Sequence, residues 1–81
     1  MLSKLAGGPK VVGAKQTRRA VNDGRAAAVF LARDADPRVT EPFAALCAER
    51  GIPVEHDCSM KELGKACGIA VGSAVAALLK A

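Results

Sequence analysis

The sequence contains no tryptophan or tyrosine and only two phenylalanines, so bulky aromatic side chains are almost absent. Each buried position therefore contributes less apolar area than an aromatic residue would, and we expect marginal to moderate stability. Hydrophobic residues still make up 51% of the chain, which excludes a disordered or purely electrostatic peptide. A chain of 81 residues has room for one modest core, and we expect a single domain over residues 1–81.

Paired cysteines and long apolar runs are missing as well. Cys47, Cys58 and Cys67 form an odd set, without the Cys-x-x-Cys or His/Cys spacing of a metal site. We therefore expect reduced thiols, no disulfide, no metal and no cofactor. Because the chain shows neither the apolar run of a signal peptide nor a stretch long enough to cross a bilayer, we expect a cytoplasmic protein without a membrane partner.

Acidic residues are scarce in one stretch of the chain. The net charge of +4 is by itself only a weak indication of a polyanionic partner. Between residues 10 and 25, however, a single acid accompanies five cations, which are Lys10, Lys15, Arg18, Arg19 and Arg25. Positive charge is therefore concentrated in one segment.

The hydrophobic pattern predicts strands that alternate with helices. Strands are predicted at residues 10–13, 26–32, 52–57 and 73–79, and helices at residues 14–22, 36–50 and 59–67. The alanines of the last segment favour a helix by propensity, but its position after a helix favours the strand that we predict. This order predicts an α/β fold, a three-layer α/β/α sandwich with a small, mostly parallel, mixed sheet of four strands.

Three local features limit these elements. Gly7-Gly8-Pro9 is interpreted as flexible, and Ser59 with Glu62 forms a capping box at the start of the last helix. Asp36-Pro37 resembles an N-cap followed by proline at the first helical position. Because Pro42 would break an interior turn, that helix begins either there or nearer Thr40.

The segment Gly13-Ala14-Lys15-Gln16-Thr17-Arg18-Arg19 lies at a predicted junction between a strand and a helix. Free N–H groups at a helix start attract phosphate, and Lys15 and Arg19 lie one helical turn apart. Gln16 offers both a donor and an acceptor to the edges of bases. The segment could therefore bind RNA, although a solvated basic helix face explains the same residues.

Two further segments carry candidate site residues. Asp34 and Asp36 follow a predicted strand, where α/β folds often place catalytic groups, but a helix cap and bonds to loop amides explain both carboxylates. The loop 68–72 contains Ile69 and Val71, which are either core anchors or, if exposed, a surface that packs against unstacked bases.

These segments together resemble a known family. Residues 12–17 (VGAKQT), 32–37 (ARDADP) and 63–71 (LGKACGIAV) are similar, in order and separation, to the successive signatures of the kink-turn-binding ribosomal protein family in its short bacterial form. The resemblance covers nearly the whole chain. It implies an α/β/α sandwich that binds a kink-turn, a sharply bent RNA internal loop with tandem sheared G·A pairs and a flipped-out nucleotide.

The resemblance also implies roles for individual residues. Gly13 would permit close approach of the backbone, and Lys15, Gln16 and Arg19 would contact guanine edges and phosphates. Ala14 and Arg18 are further RNA-binding candidates in the same segment. Ile69, Ala70 and Val71 would cover the extruded base. Asp34 would support the binding loop, and Lys65 would add a phosphate contact.

Three positions depart from archaeal and eukaryotic relatives, which commonly have Asn-Glu in place of Lys15-Gln16 and often an acidic residue in place of Ala70. We expect RNA binding to persist with an altered base preference. The sequence therefore predicts a non-catalytic, monomeric protein whose partner is a structured ribosomal or regulatory RNA, with the ribosome as a further candidate. Two alternatives stay open: an RNA-binding accessory module for an RNA-modifying enzyme such as a ribose methyltransferase, and a small enzyme built on Asp34 and Asp36.

Overall fold

The computed structural model describes residues 2–80. Its elements are, in chain order, α1 (Leu2–Gly7), β1 (Lys10–Val12), α2 (Ala14–Asn22), β2 (Ala26–Leu31), α3 (Pro37–Arg50), β3 (Val54–Glu55), α4 (Met60–Ala66) and β4 (Val75–Leu79). None of the helices in this part of the chain is long and apolar enough to cross a membrane.

The four strands form one mixed sheet in the order β1-β4-β2-β3. Strand β2 pairs parallel with β3, whereas β4 pairs antiparallel with both β1 and β2. The mixed sheet is confirmed, but the prediction that it is mostly parallel is wrong. The strands β1, β2 and β3 do share one direction, as alternation with helices predicts. The last strand enters between β1 and β2 in the opposite direction, which makes two of the three pairings antiparallel.

Helices cover both faces of the sheet, which confirms the three-layer sandwich. The side chains of β2 alternate between the two faces, as in any strand. Phe30 packs in one core cluster with Leu5 of α1 and Leu63 of α4. Leu31 packs in the other cluster, which includes Val21 of α2 and residues of α3. All but one residue of β2 are buried, so this strand is central, as predicted.

The first helix, α1, corrects the interpretation of the N-terminal segment. The sequence predicts no element before residue 10 and a flexible Gly7-Gly8-Pro9, yet Leu2–Gly7 forms a helix that ends at Gly7. A helix of this length is not stable through propensity alone. Leu5 is fully buried among residues of α4 and the sheet, so tertiary packing stabilises the helix.

The helix α3 begins at Pro37, and the alternative start near Thr40 is wrong. The carboxylate of Asp36 accepts a hydrogen bond from the backbone N–H of Arg38 at 2.9 Å, which caps the first turn. Pro42 lies inside the helix and is exposed, and the helix continues past it to Arg50.

The remaining elements follow the predictions with shorter bounds. β3 spans two residues, follows Pro53 and lies at the edge of the sheet, where a proline is tolerated because no neighbouring strand needs its N–H. α4 begins with the predicted capping box, in which the Ser59 hydroxyl accepts from the Glu62 N–H at 3.1 Å and Glu62 accepts from the Ser59 N–H at 2.8 Å. The last element is a strand, so the helix favoured by alanine content is wrong.

Candidate nucleic-acid interface

The pairing of the strands brings three connecting segments to one edge of the sheet, the edge at which β1 and β2 end and β4 begins. Val12 at the end of β1 pairs with Ala76 near the start of β4, and Leu31 at the end of β2 pairs with Val75. The start of α2, the loop 32–36 and the loop 67–74 therefore leave the sheet at the same edge. The backbone N–H of Gly13 confirms this proximity, because it donates to the carbonyl oxygen of Val75 at 2.9 Å.

The N-terminus of α2 is open at this edge. Gly13 adopts φ +95°, a conformation that L side chains rarely adopt, and a Cβ built on it would meet open space. Among residues 2–80 no side chain caps this helix. The N–H groups of Ala14, Lys15 and Gln16 belong to the first turn, where α-helices leave N–H groups without an intrahelical partner. With the helix dipole they form a surface that attracts anions.

The basic side chains of α2 do not all have the same surroundings. The helix buries Thr17, Ala20 and Val21 and exposes Lys15, Gln16, Arg18 and Arg19. Lys15 and Arg19 lie four residues apart and share the solvent face. The guanidinium carbon of Arg18 lies 5.4 Å from the ring centroid of the buried Phe43 in α3. Arg18 therefore covers the α2–α3 contact, whereas Lys15 and Arg19 face outward.

The loop 68–72 exposes apolar side chains at the edge of the sheet where α2 begins. The exposed fraction is 71% for Val71 and 37% for Ile69, and Ala70 is exposed as well. The alternative that Ile69 and Val71 anchor the core is therefore wrong. Exposed aliphatic side chains in a loop provide a surface against which an unstacked base can pack.

Two residues of the loop 32–36, Arg33 and Asp34, bind this loop to α4 and to the segment before it. Only Asp34 was predicted from the sequence to be a site residue. The Asp34 carboxylate accepts from the Met60 N–H at 2.7 Å, so it binds the first turn of α4. Arg33, which the sequence did not single out, donates to the Asp57 carbonyl oxygen at 2.7 Å and to the Glu62 carboxylate at 3.2 Å. No local pattern indicated Arg33, because its partners are 24 and 29 residues away.

The surroundings of Asp34 and Asp36 favour structural roles over catalysis. Asp34 is bonded to a backbone amide, and Asp36 both caps α3 and pairs with the Arg38 guanidinium at 2.7 Å. The hydrogen bonds from Arg38 hold the pKa of Asp36 below its ordinary value. A general acid at neutral pH needs the opposite shift, so Asp36 lacks the raised pKa that this role requires.

Other candidate residues lie away from the edge or are buried. Lys65 lines a groove between α1 and α4 with Leu2 and Ala6, in the layer opposite α2. The three cysteines are free and buried, and burial raises the pKa of each thiol. Within residues 2–80 no group of His, Cys, Asp and Glu side chains is arranged to hold a metal ion.

Comparison with protein families agrees with this architecture. The model of the ribosomal protein L7Ae/L30e/S12e/Gadd45 family matches residues 3–81. An RNA-binding protein of Geobacillus kaustophilus is 47% identical over 76 residues, which are 94% of this chain and 93% of that protein. The RNA-binding protein YbxF of Geobacillus stearothermophilus is 46% identical over 76 residues, with the same coverage of both chains.

Solved structures show the same fold. The Giardia lamblia 15.5kD RNA binding protein superposes with a TM-score of 0.91 at 30% identity, and the match covers 99% of this chain and 71% of that one. A protein of unknown function from Bacillus halodurans superposes with a TM-score of 0.88 at 26% identity, over 99% and 84% of the two chains. The names of the family and of the Geobacillus relatives describe ribosomal and RNA-binding proteins rather than enzymes.

Proposed function

The chain belongs to the ribosomal protein L7Ae/L30e/S12e/Gadd45 family, and from this membership we propose that it is a non-catalytic RNA-binding protein that recognises and stabilises kink-turns. One observation carries the proposal. The open N-terminus of α2 and the exposed apolar loop 68–72 lie at the same edge of the sheet, where the Gly13 N–H donates to the carbonyl oxygen of Val75, the first residue of β4, three residues beyond the loop. A bent RNA with an extruded nucleotide presents both phosphates and an unstacked base, which these two surfaces complement.

Each surface contributes a different kind of contact. Backbone N–H groups of Ala14 and Lys15, with the side chains of Lys15 and Arg19, bind phosphates, because anions are attracted both to a helix N-terminus and to cations. Gln16 reads base edges, since its amide can both donate and accept. Ile69, Ala70 and Val71 cover the extruded base.

The remaining predicted site residues act around these contacts. Asp34 fixes the first turn of α4 through Met60 and so supports the loop that follows α4. Arg18 lies beside the site and stacks on Phe43, so its contribution to RNA binding is smaller than that of Arg19. Lys65 lines the groove between α1 and α4, so it contacts phosphates only if an RNA strand runs along that groove.

The partner that fits this surface is a structured ribosomal or regulatory RNA, bound by a monomer. Because the site lies on elements of a single chain, no second copy is needed to complete it. The three free, buried thiols agree with a reducing cytoplasm.

A gel-shift comparison tests the proposal. The protein is titrated against a kink-turn RNA and against the same RNA with its G·A pairs replaced by Watson–Crick pairs. We expect the kink-turn RNA to bind at least about tenfold more tightly, because the disrupted RNA keeps its phosphates but loses the bend and the extruded base. Equal binding of the two RNAs would contradict kink-turn recognition.

A further inference from the structure

Gly64 lies in the middle of α4 and is buried beneath the exposed loop 68–72. A Cβ built on it would overlap the carbonyl oxygen of Val71 and would lie 3.0 Å from the Cα of Gly72. Its φ is not in the left-handed region, so the helical backbone itself does not require glycine here. Glycine is unfavourable in a helix interior. At position 64, however, the absence of a side chain allows the loop to approach the helix closely.

Backbone contacts hold the loop against α4 on both sides of Val71. The N–H of Ile69 donates to the carbonyl oxygen of Gly64 at 3.1 Å, and the N–H of Ser73 donates to the carbonyl oxygen of Met60 at 3.0 Å. A Cβ on Gly72 would lie 3.2 Å from the Cβ of Met60, so this contact is also close. The backbone of the loop therefore rests directly on the helix, with its apolar side chains turned outward.

We infer that Gly64 is a positioning residue for RNA specificity: its missing side chain seats the loop 68–72 on α4 and thereby fixes Val71 relative to the start of α2. This inference rests on the proposed function. A methyl group at position 64 displaces the carbonyl of Val71, because two atoms cannot share that space. The cations of α2 belong to a different element and keep their attraction for phosphates.

Displacement of the loop therefore affects two properties of binding differently: the affinity for any RNA and the preference for a kink-turn. Phosphate contacts of α2 are independent of sequence and shape, so binding to the disrupted RNA is retained. Contacts to the extruded base depend on where the loop lies, so preference for the kink-turn RNA is lost. A role of Gly64 in overall stability alone would weaken binding to both RNAs equally.

The experiment compares Gly64→Ala with Gly7→Ala, a glycine-to-alanine change at a helical position where a Cβ meets nothing within 4 Å. For each variant the affinity ratio of kink-turn to disrupted RNA is measured. We expect the ratio to fall by about tenfold in Gly64→Ala, with binding of the disrupted RNA changed by less than about twofold, and to stay at the wild-type value in Gly7→Ala. An unchanged ratio in folded Gly64→Ala overturns the inference.

Two further measurements keep the test decisive. If circular dichroism shows that Gly64→Ala does not fold, Gly72→Ala is measured instead: a reduced ratio supports the inference, and an unchanged ratio overturns it. Hydrogen exchange of the Ile69 and Ser73 amides tests the seating without RNA, and faster exchange in the alanine variant is expected. If the wild type itself does not discriminate between the RNAs, the proposed function fails. If it does discriminate while folded Gly64→Ala, or Gly72→Ala measured in its place, keeps the wild-type ratio, only the role of Gly64 fails.

Discussion

Two adjacent arginines of α2 have different roles, Arg18 in packing against the fold and Arg19 in binding. Arg18 and Arg19 are adjacent and both exposed, but Arg18 covers the ring of Phe43 while Arg19 faces solvent with Lys15. The sequence predicted a helix with a basic exterior and placed both arginines on it. It could not predict the contact with Phe43, because the two residues are 25 positions apart and lie on different helices.

Replacement of the two arginines tests this division. Arg19→Ala should weaken binding to any RNA and reduce the slope of log affinity against log salt by about 1, because one phosphate contact is lost. Arg18→Ala should instead lower the free energy of unfolding by about 0.5–1 kcal/mol, because the cation–π contact with Phe43 is lost. Affinity at several salt concentrations and urea unfolding measure the two effects, and each variant is the control for the other. A larger loss of affinity in Arg18→Ala would reverse the assignment.

At the scale of elements, signals within a few residues of a helix end predict that end correctly. Stabilisation by packing against distant residues cannot be predicted from local sequence. The capping box at Ser59 and Glu62 lies within a few residues of the helix start that it defines, so the sequence contains the whole signal. The helix α1 was missed because its stability comes from burial of Leu5 against distant residues. The start of α3 is ambiguous in the sequence because an interior proline removes an N–H donor and usually ends a helix, whereas α3 continues through Pro42.

The capping box of α4 predicts a dependence of stability on pH. Hydrogen bonds from the Ser59 N–H and then from Arg33 hold the pKa of Glu62 below its ordinary value of 4.5. The stabilisation that Glu62 provides is therefore complete above that value and is lost as the pH falls through the lower pKa of the folded state. Glu62→Gln should be less stable than the wild type at pH 7, and the difference should disappear in acid.

Urea unfolding of both proteins from neutral to acidic pH measures this difference. Glu41→Gln is a matched control, because Glu41 is an exposed residue of α3 without an ion pair in the described part of the chain. A stability difference for Glu62→Gln that stays constant down to the most acidic pH would show that the charge of Glu62 does not stabilise α4.

At the scale of the whole molecule, the sequence predicted the layers but not the direction of the last strand. Alternation of strands and helices fixes three parallel strands, but the direction of β4 depends on where the chain returns after α4. Hydrogen bonds from Met60 to Asp34 and from Ser73 to Met60 bring this return to the edge where β2 ends. The strand therefore starts at that edge and runs antiparallel to its neighbours.

The path of the chain from α4 into β4 also brings the parts of the candidate site to one edge of the sheet. Local sequence indicated a phosphate-attracting helix start and an apolar loop, each with a plain structural alternative. Their proximity was expected only from family resemblance, because the two segments are more than fifty residues apart. In the structure the pairing of β4 with β1 and β2 brings both segments to the same edge of the sheet, and the loop is exposed.

Mapping of the RNA footprint tests most directly whether these segments form one surface. Amide chemical shifts of the labelled protein are followed by NMR during titration with a kink-turn RNA. The largest changes are expected together at Gly13, Lys15, Gln16 and residues 69–71, with little change at the amides of α1 and in the second half of α3. Changes confined to α2, or centred on the α1–α4 groove, would contradict a shared surface of helix start and loop.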